Sequence, residues 1–412
     1  MSEEKKLTPW MVQFYDIKKD YPDSILFFRM WDFYEMFDED AHIAHRVLWI
    51  NITSRNKNAP NPIPLAWIPY HAKEKYLPIL VKAWYKVAIA EQVSDPKAKW
   101  IVKREVVRVV TPSTLDLEFD SENNVSSNYI LSLVEEKGKY WISFLDFSTN
   151  SWKAWSFENI ENLTKEIYKI FPKEVILEKK LFNKEDLKDV LSKKFSLNIY
   201  YFENKQKPYE KLKTHFKTKN LNWFWLEQDN LAQKAASQLL EYLEENQKSS
   251  LNFLKKISYE TFSDYMDLDE WTIRNLDLVY NIFTKTSVKW TLFWVLNQTK
   301  TVMWTRLLRE NILKPSQNIE EIKKRQIFVE EILKNPILMD KLQKKLSFIS
   351  DIDTIMNRIM LERASPKDLL NLKKSLQSIL EIFELIESEA TDKLKGIIKL
   401  DSLSPVSSLP VG

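Results

Sequence analysis

Glycine is almost absent from this chain, and its scarcity constrains the possible fold more than any other feature. There are three glycines in 412 residues, Gly138, Gly396 and Gly412, where average usage of about 7% would give roughly 29. Tryptophan, in contrast, occurs fifteen times. Turns and close backbone contacts ordinarily need glycine because it has no side chain. Tryptophan serves neither purpose, so the composition indicates that something has displaced glycine.

Length and charge exclude several classes of protein. A chain of 412 residues is expected to fold as two or three domains. Its net charge is only +3, so any nucleic-acid surface must be local. The absence of cysteine excludes disulfides, thiolate metal sites and a cysteine nucleophile. No apolar run approaches the length of a membrane span and the start lacks a signal peptide, so we predict a soluble, cytoplasmic chain with no membrane partner.

Local patterns divide the chain into three regions, and we predict a multidomain fold, α/β followed by all-α. In the first region, 1–112, Thr8 and Pro9 begin a helix, "SILFFRM" and "REVVRVV" indicate strands, "EDAHIAHRVL" a helix, and "YLPILVKAWYKVAIAEQ" a helix and then a strand. The second region, 122–247, has a meander of strands followed by alternating helices and strands, including a helix over "KEDLKDVLSKKF". The third region, 248–412, is predicted to be helical almost throughout.

The stretch "RMWDFYEMF", residues 29–37, combines four aromatic residues with two carboxylates. Asp32 and Glu35 have the residue types of a catalytic acid pair, with aromatic neighbours as sugar platforms, as in a glycosidase. Two carboxylates at this spacing are common by chance, and aromatic residues mostly lie in cores. The pattern alone leaves three alternatives open: a core strand, a catalytic pair, or an aromatic wedge beside a polar group that reads bases.

Other candidate motifs are weak. His42 and His45 lie three residues apart on one predicted helix and could bind a metal, but no third ligand is apparent, so a solvated helix face is the preferred interpretation. No G-x-x-x-x-G-K-[ST] phosphate loop is present, even when tryptophan is read as glycine. We therefore predict no catalytic residue, metal ligand or cofactor site in this chain.

Three long stretches carry a specific resemblance to a known family. "TPWMVQFYDIKKDYPDSILFFRMWDFYEMFDEDA", "PIPLAWIPYHAKEKYLPILVKAWYKVAIAEQVSDP" and "IVKREVVRVVTPSTL" closely resemble the opening domain of bacterial MutS, the DNA mismatch repair sensor. Later segments, including "DIDTIMNRIMLERASPKDLL", are similar to its connector and core domains. The resemblance implies a mismatch-recognition domain at 1–112, an RNase H-like connector at 122–247 and an incomplete helical core, or lever, at 248–412.

The resemblance also implies roles for particular residues. Phe33 and Glu35 match the family's Phe-x-Glu motif, in which the ring stacks on one mispaired base in the minor groove and the carboxyl group hydrogen-bonds to that base. We expect the pKa of Glu35 to be raised near phosphates, so that a protonated carboxyl donates. Contacts to the DNA backbone are predicted for nearby basic residues: Arg55 and Lys57 first, then Lys103, Arg104 and Arg108.

For the whole protein, the resemblance implies a nucleoid-associated homodimer that binds duplex DNA with mispairs or small loops. ATP and Mg²⁺ would bind only in a C-terminal ATPase domain beyond Gly412, and ATP would convert recognition into a sliding clamp that recruits a MutL-type partner. Two alternatives remain: a paralogue that binds branched DNA or scaffolds partners without sensing mispairs, and a carbohydrate-active enzyme using Asp32 and Glu35.

The family typically has glycine at nine positions where this sequence has tryptophan. We therefore hypothesise that a codon such as UGA is read as glycine in the source organism. Nine genuine tryptophans there would overpack turns and helix contacts, at a cost on the order of 1 to 3 kcal/mol each. The nine positions are Trp31, Trp67, Trp84, Trp100, Trp141, Trp223, Trp225, Trp290 and Trp304.

Overall fold

The chain folds into two six-stranded sheets flanked by helices, followed by a helical region. The computed structural model describes residues 8–55, 62–94, 102–115, 128–184, 187, 189–195, 197–222, 230–248, 251–259, 265–281 and 288–398. In those ranges, no helix combines the length and the apolar composition needed to cross a membrane. The predicted mixture of α/β and helical regions is confirmed.

The first sheet has the strand order β3-β4-β2-β1-β5-β6. Only the β1–β5 pair is parallel; the other neighbouring strands run antiparallel. The strands are β1 Ser24–Met30, β2 Phe33–Phe37, β3 Thr53–Arg55, β4 Ile63–Pro69, β5 Lys86–Gln92 and β6 Arg104–Val110. The accompanying helices are α1 Pro9–Asp20, α2 Asp38–Leu48 and α3 Lys73–Lys82, with a 3-10 turn at Tyr70–Ala72.

Helices cover both faces of this sheet, which explains the continuous apolar run of β1. Ile25 and Phe27 pack with buried residues of α2 and α3 on one face. Leu26 and Phe28 pack with Phe14 of α1 on the other face. Because alternate residues of a strand point to opposite faces, a strand buried on both sides needs apolar residues throughout.

The second sheet has the order β11-β10-β7-β8-β9-β12. The three strands that come first in the chain, β7, β8 and β9, form the predicted antiparallel meander. β10, β11 and β12 each pair in parallel with their neighbours. The strands are β7 Tyr129–Glu136, β8 Lys139–Asp146, β9 Ser151–Phe157, β10 Glu174–Leu177, β11 Asn198–Tyr201 and β12 Ser258–Tyr259. The helices are α4 Ile160–Ile170, α5 Pro208–Phe216 and α6 Asn230–Gln247. Within "KEDLKDVLSKKF", Asp189–Lys194 form a π-helical turn rather than part of the expected α-helix.

After β12, helices are the regular elements of the described residues in the third region, as predicted, apart from one isolated bridge between Tyr265 and Ser316. Its longest helix begins with a complete capping box, in which the side chains of Ser365 and Asp368 satisfy backbone N–H groups around Pro366. The helices are α7 Glu270–Asn275, α8 Leu292–Leu296, α9 Val302–Leu313, α10 Ile319–Leu333, α11 Pro336–Leu346, α12 Ile352–Met360, α13 Pro366–Glu389 and α14 Asp392–Ile398.

A buried polar cluster joins the two sheets. Glu174, at the start of β10, is fully buried and accepts hydrogen bonds from the Ser113 backbone N–H at 2.7 Å and the Tyr242 hydroxyl at 3.2 Å. The Lys86 ammonium lies 3.4 Å from the centre of the Tyr200 ring, and burial lowers the pKa of this lysine. Because each group would be costly to bury alone, the cluster fixes the first sheet against the second.

The second sheet also contacts the helical region through polar groups. The side-chain amide of Asn357 on α12 donates to the Phe147 carbonyl at 2.6 Å. Arg363 donates to the Gln247 side chain, at the end of α6, at 2.8 Å. These contacts connect the helical region to the domain that carries the second sheet.

The nine tryptophans at positions where the family resemblance implies glycine fall into three groups. Trp31, Trp84 and Trp290 have positive φ. Trp67 and Trp141 lie in strands and Trp304 in a helix, with no such φ. Trp100, Trp223 and Trp225 lie outside the described residues.

Candidate nucleic-acid interface

Phe33 lies at the exposed end of β2, next to the turn that connects β1 to β2. Side chains alternate along β2: Tyr34 and Met36 point into the core beneath α2 and α3. Phe33, Glu35 and Phe37 share the opposite face, and α1 covers that face at Phe37 through Phe14. Cover is incomplete at the other end of the strand, where 37% of Phe33 stays accessible. A strand register set by the core therefore presents the Phe33 ring at the end of β2.

The Phe33 ring contacts an indole from the neighbouring strand. Trp67 on β4 lies opposite Glu35 in the strand register. The centre of its ring is 4.7 Å from that of Phe33, with an interplanar angle of 77°. This edge-to-face arrangement is a favourable geometry for an aromatic pair. The Phe33 ring thus shares the exposed surface at this end of β2 with the Trp67 indole.

Glu35 is mostly buried beneath this aromatic surface and holds an ion pair with Arg55. One guanidinium nitrogen of Arg55 lies 2.5 Å from the Glu35 carboxylate, whose side chain is 15% exposed. Burial raises the pKa of Glu35, although the charges of Arg55 and Arg104 oppose that effect. The pKa of Glu35 is raised, as expected, but in the chain without DNA the cause is burial rather than nearby phosphates. A carboxyl group in this setting can take up a proton more readily than one in water.

Arg55, one of the predicted DNA-backbone contacts, is held by two partners. Besides its ion pair with Glu35, its guanidinium lies 4.5 Å from the centre of the Trp10 ring. Its side chain is 34% exposed. Arg55 therefore lies at the same surface as Phe33, with part of its guanidinium accessible to solvent.

The remaining predicted basic contacts differ in accessibility. The Lys103 side chain is 68% exposed and pairs with Glu105. Arg104 is 7% exposed, and its guanidinium donates to the backbone carbonyls of Arg29 and Val102. Arg108 donates to the Thr114 carbonyl at 2.6 Å. The geometry thus gives Arg104 and Arg108 structural contacts and leaves Lys103 most accessible to a phosphate, while Lys57 lies outside the described residues.

Sequence reasoning missed two residues beside the β1–β2 turn. The Arg29 guanidinium stacks 4.0 Å from the centre of the Tyr70 ring and donates to the Trp31 carbonyl. Tyr70 follows β4, is 43% exposed, and its backbone N–H donates to the Asp32 carbonyl. No local pattern pairs residues 29 and 70, because only the β2–β4 register brings them together.

The residues that the alternative catalytic and metal-binding assignments would use are placed as follows in the structure. Asp32 is exposed in the turn before β2, while the Glu35 carboxylate is held by Arg55. His42 and His45 are exposed on α2, and a ring nitrogen of His45 lies 2.6 Å from the Ile50 carbonyl. Among the described residues, no group of three or more His, Asp or Glu side chains is placed to hold a metal ion.

Three family models match successive parts of the chain. MutS domain I matches residues 8–118, MutS domain II residues 128–256 and MutS domain III residues 271–407. The first of these matches contains every residue of the surface described above.

Curated DNA mismatch repair proteins resemble nearly the whole chain. The DNA mismatch repair protein MutS of Dehalococcoides mccartyi is 41% identical over 378 residues, which cover 91% of this chain and 43% of that protein. MutS of Streptococcus mutans serotype c is 36% identical over 411 residues, 98% of this chain and 46% of that protein. The DNA mismatch repair protein HexA of Streptococcus pneumoniae serotype 4 is 36% identical over 409 residues, with coverages of 98% and 46%. The chain thus spans a little under half the length of these relatives.

Proposed function

Because this chain belongs to the MutS family and carries its domains I, II and III, we propose that it recognises mispaired or looped bases in duplex DNA through Phe33 and Glu35. The observation that carries the proposal is an exposed ring at the end of β2 beside a largely buried carboxyl group with a raised pKa. A ring exposed at the end of a strand can act as a wedge, since a flat apolar ring can enter a base step and stack on it.

In the proposed mechanism, Phe33 tests how readily the duplex deforms. A mispaired or bulged base is already poorly stacked, so kinking the helix there costs less free energy than at a matched pair. Base–aromatic stacking contributes about 1 to 3 kcal/mol whatever the base. The ring therefore supplies affinity, while the difference in deformation cost supplies the preference for mismatches.

The ion pair between Glu35 and Arg55 connects the two predicted roles of these residues. A protonated Glu35 can donate a hydrogen bond to a base, whereas an ionised one would be repelled by nearby phosphates. Protonation removes the charge that holds Arg55 at 2.5 Å, which frees the guanidinium for a phosphate oxygen. We propose that base contact by Glu35 and backbone contact by Arg55 occur together.

Replacing Glu35 with glutamine is expected to preserve tight heteroduplex binding and to remove its pH dependence. The amide donates a hydrogen bond at any pH. Burial raises the pKa of Glu35, so in the unmodified chain the donating, protonated fraction falls as pH rises through that pKa, and affinity falls with it. The measurement is the Kd for a G·T heteroduplex from acidic to neutral pH.

The matched control for this experiment is Asp32→Asn, which neutralises an exposed carboxylate three residues away. It should leave the pH dependence of binding unchanged. Loss of heteroduplex binding in Glu35→Gln would contradict the donor role assigned to Glu35.

Replacing Lys103 with alanine is expected to reduce the salt dependence of DNA binding by about one unit in the slope of log K against log salt. A lysine that contacts a phosphate displaces a bound counterion, and loss of that contact weakens binding to all sequences alike. Lys139→Ala is the matched control because this lysine is also exposed and paired with a glutamate, on the second sheet. Equal slopes for both variants would exclude Lys103 as a backbone contact.

For the longer protein, we propose the arrangement that the family implies: a cytoplasmic, nucleoid-associated homodimer with a MutL-type partner. In that proposal the second sheet acts as an RNase H-like connector and the helices from α7 onward as part of the lever. ATP and Mg²⁺ would act in segments of the relatives that this chain does not span, since 43% to 46% of their length is covered.

A further inference from the structure

Tryptophan occupies four turn positions at which the backbone has a left-handed conformation. The φ values are 53° for Trp31, 55° for Trp49, 69° for Trp84 and 66° for Trp290. This region is uncommon for any residue with a Cβ atom and is an outlier for bulky ones, whereas glycine enters it freely. Tryptophan is fifteen of the 412 residues but four of the twelve non-glycine residues with positive φ in the described ranges.

The four indoles gain little from burial in return for this strain. Their exposed fractions are 69% for Trp31, 91% for Trp49, 55% for Trp84 and 75% for Trp290. Tryptophan is highly buried on average in folded proteins. Burial of the indoles therefore does not account for tryptophan at these four turns, and the one ring contact in the described ranges, between Trp290 and Trp294 at 5.3 Å, is with another exposed indole.

Two other tryptophans behave as the residue normally does. Trp152 and Trp155 lie in β9, are each 3% exposed, and have no positive φ. The Trp152 indole N–H donates to the Ser143 hydroxyl at 2.8 Å. The chain thus contains two kinds of tryptophan position. At one kind the indole is buried in the core, and at the other the backbone conformation favours a residue without a side chain.

Trp49 shows the second kind most plainly. It follows the last residue of α2, and its backbone N–H donates to the His45 carbonyl at 3.1 Å. A left-handed residue that closes a helix in this way is most often glycine. Trp49 is not among the nine positions that the family resemblance identifies, so the backbone conformation adds a position and supports the hypothesis independently at Trp31, Trp84 and Trp290.

We propose that residues 31, 49, 84 and 290 are glycine in the protein that the source organism makes, because one codon written here as tryptophan is decoded there as glycine. The backbone contacts at these turns survive the change. Arg29, for example, donates to the carbonyl of residue 31 and not to its side chain.

Glycine at position 31 would also change the candidate DNA surface, a consequence that rests on the proposed function. The Trp31 indole is more exposed than the Phe33 ring and stands two residues before it, in the turn that leads into β2. A minor groove is only about 6 Å wide, so a second large ring beside the wedge would obstruct its entry. With glycine there, Phe33 can approach a base step without that obstruction.

Peptide mass spectrometry of the protein isolated from its source organism tests the residue identities without reference to DNA binding. Glycine is expected at 31, 49, 84 and 290, and tryptophan at 152 and 155. In the gene, the first four should share one codon that differs from the codon at 152 and 155. Tryptophan in any of the four peptides, or a common codon at all six positions, would overturn the proposal.

A second measurement uses recombinant chains in the standard genetic code. A chain with glycine at all four turns is expected to unfold at a higher urea concentration than the chain with tryptophan, because left-handed strain is relieved. Trp152→Gly is the matched control and should lower the midpoint by removing a buried indole. A lower midpoint for the four-glycine chain would overturn the conformational argument, whatever the outcome of the DNA-binding experiments.

Discussion

Replacing Phe33 with alanine is expected to remove most of the chain's preference for heteroduplex over matched DNA. The ring is exposed at the end of β2, so its loss disturbs little of the core. It would remove a stacking contribution of about 1 to 3 kcal/mol, roughly a 5- to 150-fold weakening of Kd. Binding to the matched duplex, which depends mainly on phosphate contacts, should change much less. The measurement is the ratio of Kd values for a G·T heteroduplex and its matched counterpart.

Phe348→Ala provides the matched control, since it removes a 64% exposed phenylalanine from the helical region. It should leave the ratio of Kd values unchanged. Repeating the Phe33 comparison with glycine at position 31 separates the effect of the ring from that of the neighbouring indole. A Phe33→Ala chain that still prefers the heteroduplex would refute the wedge. If the unmodified chain shows no preference for the heteroduplex, the result would favour the alternative of a paralogue that binds DNA without sensing mispairs.

The elements of the first sheet could be predicted because their signals are local. The run "SILFFRM" became β1, Ser24–Met30, and "EDAHIAHRVL" lies within α2, Asp38–Leu48. β1 is apolar almost throughout because both of its faces are buried, and the apolar residues of α2 recur at helical spacing because one of its faces is buried. These two elements were therefore predictable from the sequence, whereas the strand Phe33–Phe37 was only one of three alternatives that the pattern left open.

The surroundings of Glu35 could not be predicted in the same way. Its partner Arg55 lies on β3, and the pair meets only because β4 is placed between β3 and β2. The burial of Arg104 likewise depends on the Arg29 carbonyl and on Gln13, whose side chain accepts from the Arg104 N–H. Such contacts depend on how the strands are placed in the folded sheet, and the spacing of residues in the sequence does not predict that placement.

Replacing Asp40 with alanine is expected to give the largest loss of stability in the domain that carries Phe33. This carboxylate is 3% exposed and joins three elements, since it pairs with Lys18 of α1 at 2.8 Å and accepts from the Leu26 N–H of β1 at 2.9 Å. Its removal leaves a backbone N–H without its acceptor and a lysine without its counter-ion. The expected cost is about 2 to 4 kcal/mol. Hydrogen exchange of the amides in β1 and β5 measures it locally.

The control and the pH dependence make the Asp40 prediction specific. Asp16→Ala removes an exposed aspartate that pairs with Lys19 at 3.3 Å, and exposed pairs contribute at most about 1 kcal/mol. Burial raises the pKa of Asp40 despite the attraction of Lys18, so between the unfolded and folded pKa values the folded state binds more protons. The stability that Asp40 contributes therefore falls as pH rises through that window. The difference between the unmodified chain and Asp40→Ala should shrink correspondingly, and a difference that grows with pH would show that the ion pair with Lys18 outweighs the cost of burial.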